Sequence, residues 1–96
     1  MKETNEISVH AARIYATLRD RAANGKGWMT AHEIASASEV APRTARAYAK
    51  RFVDAGIVDL AEVFPAHRYR LSTLAKNRNR TYDQRLEQAC EIFGIA

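Results

Sequence analysis

With Cys90 as its only cysteine, the chain can close no internal disulfide, so its fold rests on packing alone. It has no apolar run near the roughly 20 residues that cross a bilayer. Its first six residues, Met1 to Glu6, are polar where an export signal would be apolar. A soluble cytoplasmic protein is the expectation. No repeat, low-complexity tract or long linker interrupts the 96 residues, which bounds the chain to one small core. Catalytic patterns are missing as well: there is no glycine-rich phosphate loop, and no Ser/His/Asp or Cys/His arrangement that local spacing would bring together. His10, His32, His67 and Cys90 lack the close, paired spacing of zinc ligands. No enzyme, metal or cofactor is expected, and the histidines read as surface residues.

Apolar residues make up 47% of the chain, the share of an ordinary folded domain. A domain this short buries only about 60 to 65% of the surface its unfolded chain exposes, so pairing of two copies would add stability. The net charge of +4 is unevenly placed. Between Ala41 and Arg80, nine Lys or Arg stand against three acids (Asp54, Asp59 and Glu62), an excess of +6 that leaves −2 for the remainder. Such segregation is either a solvated surface or a footprint for phosphate, whose counterions a cationic face releases.

The order of elements can be read from periodicity and punctuation. Ile7, Ala11, Ile14, Tyr15, Leu18 and Ala22 fall in one stripe about 100° wide, predicting a core-facing helix capped by Thr4 and stopped at Asn24-Gly25-Lys26-Gly27. Arg13, Ala16, Thr17 and Asp20 would face away. Trp28-Met29 has room for one bridge of sheet. Thr30-Ala31-His32-Glu33 matches a capping box and opens a second helix that ends in Ser36-Ala37-Ser38. Pro42 suits the first turn of a third helix, residues 42–55, which Gly56 stops. Residues 57–64, rich in apolar and β-branched side chains, and the alternating Arg68-Tyr69-Arg70-Leu71 read as a hairpin around Pro65-Ala66-His67. Ser72 or Thr73 then opens a last helical stretch.

This order, and above all Thr30-Ala31-His32-Glu33-Ile34-Ala35 followed by the run from Val40 through Arg43-Thr44 to Ala55-Gly56-Ile57-Val58, resembles the winged helix-turn-helix family of transcription factors. The resemblance covers about residues 7 to 72. It implies a mainly α fold with a small β-hairpin wing: a DNA-binding domain over 1–72 and a C-terminal helical extension over 73–96. The chain departs from the family at Ala41, where a hydroxyl usually caps the recognition helix, and at Ala45 and Ala49, where larger apolar residues often stand.

Helical geometry supports the same reading independently. Arg46, Ala47 and Lys50 lie within about 60° of Arg43 on the third helix, while Ala45, Tyr48, Ala49 and Phe52 cluster opposite. A helix of this kind enters the major groove, where arginine donates two hydrogen bonds to guanine. Arg43 and Arg46 are the expected base readers, and Ala47 leaves room for close approach, with a methyl that can meet thymine. Lys50 and Arg51 are expected on phosphate, and Thr44 on either. Thr30 opens a helix whose free N–H groups favour a phosphate oxygen. The family wing touches the minor groove or backbone, which implicates His67 and Arg68 at the hairpin tip. Trp28, Tyr48, Phe52 and Cys90 read as core.

Tyr82, Leu86, Ala89 and Phe93 share a stripe about 60° wide at the chain end and are expected to pair two copies, although the stripe can also fold back on the first helix. The functional expectation is sequence-specific duplex DNA binding by a small, nucleoid-associated homodimeric regulator, a repressor rather than an activator. The alternative is a winged-helix module for protein interaction, replication or partition.

Overall fold

The computed structural model describes residues 7–25, 27–72 and 79–95. Helix α1 spans Val9–Ala23 and is capped by Ser8, whose hydroxyl oxygen accepts the Ala11 N–H at 3.1 Å. The expected Thr4 cap lies outside the described residues. Ala11, Ile14, Tyr15 and Leu18 are buried as their spacing requires, but so are Ala12 and Ala16, and Ala22 is exposed. Thr17, expected to face solvent, shares a 2.8 Å hydrogen bond with Ser38. The buried arc is wider than a surface helix needs because α1 is covered by α2, α3, α4 and β3.

Strand β1 (Met29–Thr30) runs into helix α2 (Ala31–Ser38) through the expected capping box. Thr30 Oγ1 accepts the Glu33 N–H at 3.2 Å, and Glu33 Oε1 accepts the Thr30 N–H at 2.9 Å. Helix α2 ends in the expected Ser36-Ala37-Ser38 run, with Glu39 behind it as the C-cap, held at φ 60 in the left-handed region. Helix α3 (Pro42–Asp54) begins at proline with no side-chain cap from Ala41. Ala45 and Ala49 are fully buried, so the small residues that set this chain apart let α3 approach its neighbours closely. Gly56, at φ 75, reverses the chain after α3, and the Ile57 N–H returns to the Phe52 carbonyl at 2.9 Å.

Strands β2 (Val58–Ala61) and β3 (Arg68–Leu71) pair antiparallel, and β1 joins the other edge of β3, giving the order β1-β3-β2. Tyr69 faces the core opposite Met29 on one side and Leu60 on the other. β2 is shorter than the apolar run suggested. Val63 and Phe64 lie past its end in the connecting loop, 44% and 97% exposed, because the turn to β3 carries them off the core.

The Ser72 N–H closes onto the Ile57 carbonyl at 2.8 Å and the residue is buried, while the helical stretch expected to open there falls on residues 73–78, outside the described residues. Thr73 lies outside the described residues. Helix α4 (Arg80–Ile92) starts from Asn79, whose side chain accepts the Tyr82 N–H and whose own N–H reaches the Ala55 carbonyl at 2.9 Å. Leu86, Ala89 and Cys90 then press into α1. Phe52 sits at the centre, edge-on to Tyr15 at 6.5 Å and to Tyr82 at 5.8 Å. The four helices and three strands described here thus share one core.

Candidate nucleic-acid interface

The two faces of α3 are chemically opposite. Ala45, Ala49 and Phe52 are fully buried, while Arg43, Arg46, Ala47, Lys50 and Arg51 are exposed and Thr44 is half-buried. The exposed cations differ in how far the protein itself engages them. Arg51 lies over the Tyr48 ring, 5.4 Å from its centroid, and Tyr48 is itself held by a 2.9 Å hydrogen bond to Ser8. Lys50 Nζ is 3.8 Å from Asp54 Oδ2, a pair one turn apart and open to solvent, worth at most a few tenths of a kcal/mol. Arg43 and Arg46 have no ion pair among the described residues.

The hairpin stands beside this face. One cleft is lined by Thr30 and His32 of α2's start, Arg46 of α3, and Pro65, Ala66 and His67 of the hairpin tip. A second, of about 340 Å³, is shared by Arg46, Lys50, Leu60, Glu62 and His67. Arg46 and His67 border both, so the structure brings the expected helix and wing residues onto one surface. On the other flank of α3, Arg43, Thr44, Ala47 and Arg51 surround a third depression.

Arg68 opens β3 in register with Thr30 and Ala61, just behind the tip, and is exposed with no ion pair among the described residues. Arg70 is engaged: its Nε lies 3.3 Å from Asp59 Oδ2 and its guanidinium stacks 4.5 Å above the half-buried Trp28 ring. It braces the sheet. Two features of this surface escaped the sequence reading. His32 reads in the sequence as an isolated surface histidine because its cleft partners come from α3 and the hairpin, far along the chain. Phe64 belongs by composition to the strand run, although its place just before Pro65 marks a turn.

The C-terminal stripe behaves differently from its expectation as a pairing surface. Leu86 and Ala89 are buried in this chain's own core against α1, and Tyr82 packs on Phe52. Only Phe93, 43% exposed, and its neighbour Ile92, 66% exposed, remain open at the helix end. The interface with α1 also carries polar chemistry. The Tyr15 hydroxyl donates to Asp83 Oδ1 at 2.9 Å and to Glu87 Oε2 at 2.6 Å, and Arg19 pairs with Glu87 Oε1 at 2.7 Å. Burial, reinforced by the two carboxylates, holds the Tyr15 phenol far above its ordinary range. Burial likewise pushes the Cys90 thiol up, and its S–H donates to the Ala12 carbonyl at 3.5 Å. Among the described residues, no group of His, Cys, Asp and Glu could hold a metal ion, and no helix is long and apolar enough to cross a membrane.

Solved structures share this arrangement of helices, helix turn and hairpin. The YusO protein from Bacillus subtilis superposes on 93% of this chain with a TM-score of 0.62 at 12% identity. BpsR of Bordetella bronchiseptica, whose DNA binding is regulated by 6-hydroxynicotinic acid, superposes on 95% with a TM-score of 0.61 at 12% identity. The fold is a winged helix-turn-helix. In its terms α3 occupies the recognition-helix position and the β2–β3 hairpin is the wing. The chain spans 59% of the YusO chain and 67% of the BpsR chain. No family model matches this sequence, and no curated protein does.

Proposed function

We propose that the protein binds duplex DNA sequence-specifically as a small transcriptional regulator. The observation that carries the reading is the two-faced α3, with Arg43 and Arg46 exposed and free of ion pairs among the described residues while the opposite face is locked into the core. In a major groove about 12 Å wide these two arginines are the base readers, and Ala47 between them permits close approach. Lys50, Arg51 and Thr44 contact backbone phosphates, Thr30 brings the start of α2 to a phosphate, and His67 and Arg68 extend the contact from the wing. Regulation is by occupancy: a protein seated on a promoter blocks polymerase, which makes it a repressor. Action on DNA implies a cytoplasmic, nucleoid-associated protein.

A pair of chains on a palindrome, half-sites about 10 to 10.5 bp apart or a multiple, has less support than the C-terminal stripe suggested. Ile92 and Phe93 alone fall well short of the roughly 800 Å² per partner of a stable interface. The test is titration of random duplex at two salt concentrations, then selection of bound sites from a randomised pool. Binding that weakens steeply with salt, followed by enrichment of a defined motif, is expected. Absence of duplex binding at low salt would overturn the reading and favour a winged-helix protein-interaction or replication module.

A further inference from the structure

The wing tip holds a feature that charge alone does not account for. Phe64 is 97% exposed, the most open large apolar side chain described, with Val63 beside it at 44%. A phenylalanine ring offers about 150 to 250 Å² for burial, and nothing among the described residues covers it. Isolated exposed apolar residues are ordinary on a protein surface, so position has to decide whether this one matters.

Three observations give it a position. First, Pro65, Ala66 and His67, which follow it directly, line a cleft with Arg46 and Thr30, so the tip stands beside the cationic face of α3. Second, the strands beneath are braced: Leu60 pairs with buried Tyr69, and Asp59 pairs with Arg70, which is stacked on Trp28. The ring is therefore presented from a firm base. Third, Arg68 is exposed four residues further along the chain, while Glu62 lines the cleft toward Arg46 and Lys50, whose charge offsets it. A bare ring on a tip that shares its cleft with Arg46 complements a surface that is anionic outside and flat and apolar within, as a duplex is between its phosphate rails and its base stack.

We infer that Phe64 is a wedge that enters the minor groove and partly unstacks a base step, bending the duplex at the wing. This rests on the duplex-binding reading above and adds a residue and a mode of recognition to it. Apolar wedges of this kind kink DNA by about 20 to 90°. Pyrimidine–purine steps open most easily, so the wedge favours a TA or CA step where the tip lands. The site preference generated there needs no hydrogen bond to a base.

The experiment uses an A·T duplex of about 30 bp with alternating TA steps, end-labelled for energy transfer and carrying 2-aminopurine in place of adenines, at low salt. Wild type is expected to shorten the end-to-end distance and raise 2-aminopurine emission. Phe64→Ala should lose both signals and bind about fivefold or more weakly, with an unchanged melting temperature. Phe64→Trp should restore them, and Arg68→Ala should bind more weakly yet still bend. A wild type that binds while leaving the duplex straight, or a Phe64→Ala that binds and bends like wild type, overturns the wedge and leaves duplex binding intact. If wild type binds no duplex at all, the underlying reading falls and the wedge with it.

Discussion

The two halves of the molecule treat polar groups in opposite ways. Between α1 and α4, Tyr15, Arg19, Asp83 and Glu87 satisfy one another across the helix interface, and even the lone thiol has a carbonyl partner. On the α3 and wing side, Arg43, Arg46 and Arg68 reach solvent without a partner charge among the described residues, and an aromatic ring stands uncovered. Internal satisfaction rigidifies a fold, whereas donors left open are available to an external acceptor. Apart from the buried Arg21 Nε of α1, which has no hydrogen-bond partner among the described residues, the first half closes its polar groups and is the scaffold, and the open half is where recognition is to be sought.

The sharpest way to break this division is at Leu86. Because it is fully buried against its own chain, Leu86→Ala is expected to cost about 2 to 5 kcal/mol of stability. The loss should be the same at low and high protein concentration. A melting temperature that depends on concentration in wild type and ceases to in the variant would move Leu86 to an interface between copies.

On the open side the expectation is reversed. Arg43→Ala and Arg46→Ala should each weaken binding to a selected site by about 1 to 3 kcal/mol and relax base preference, with stability within about 0.5 kcal/mol of wild type. Lys50→Ala should weaken selected and random duplexes alike. Equal loss on both kinds of duplex for Arg46→Ala would show that Arg46 contacts only backbone.

Tyr15→Phe probes the closed side more gently. Removing the shared donor leaves Glu87 and Asp83 short of a hydrogen bond, at a cost of about 1 to 2 kcal/mol. The phenol's folded-state pKa is raised, so its contribution is fully present below the unfolded value near 10. It is lost as pH climbs above that value. Chemical denaturation at rising alkaline pH should show wild type losing its advantage over Tyr15→Phe; a constant difference would mean that the hydroxyl is not held in its protonated form.

The smallest effect belongs to the wing. Joint replacement of His67 and Arg68 by Ala should reduce affinity modestly and flatten its dependence on log salt by about 1, while the bases preferred by α3 stay the same. Unchanged affinity and slope would show that the hairpin does not reach the duplex, and would confine recognition to α3.

What could be read in advance follows from the range of each cause. The Thr30–Glu33 capping box, Pro42 at the start of α3, the Gly56 reversal and the two faces of α3 all depend on residues within a turn or two of one another, so periodicity and side-chain chemistry reveal them. The cap on α1 moved from Thr4 to Ser8 because several hydroxyls near a helix start compete and packing chooses among them; Ile7 rests on the core just ahead of Ser8.

By itself, then, the sequence determined the order of the elements, the helix-turn-helix and the cationic face of α3, since local propensity and a 3.6-residue repeat suffice for them. Only the tertiary structure decided which surfaces are spoken for. The stripe of Tyr82, Leu86 and Ala89 asks only for apolar cover, and a wheel cannot tell a second copy from this chain's own α1. Likewise an apolar run cannot say where its strand stops, yet that point sends Phe64 into solvent. Burial depends on what residues distant in sequence bring alongside, and that is settled when the helices and sheet close on Phe52.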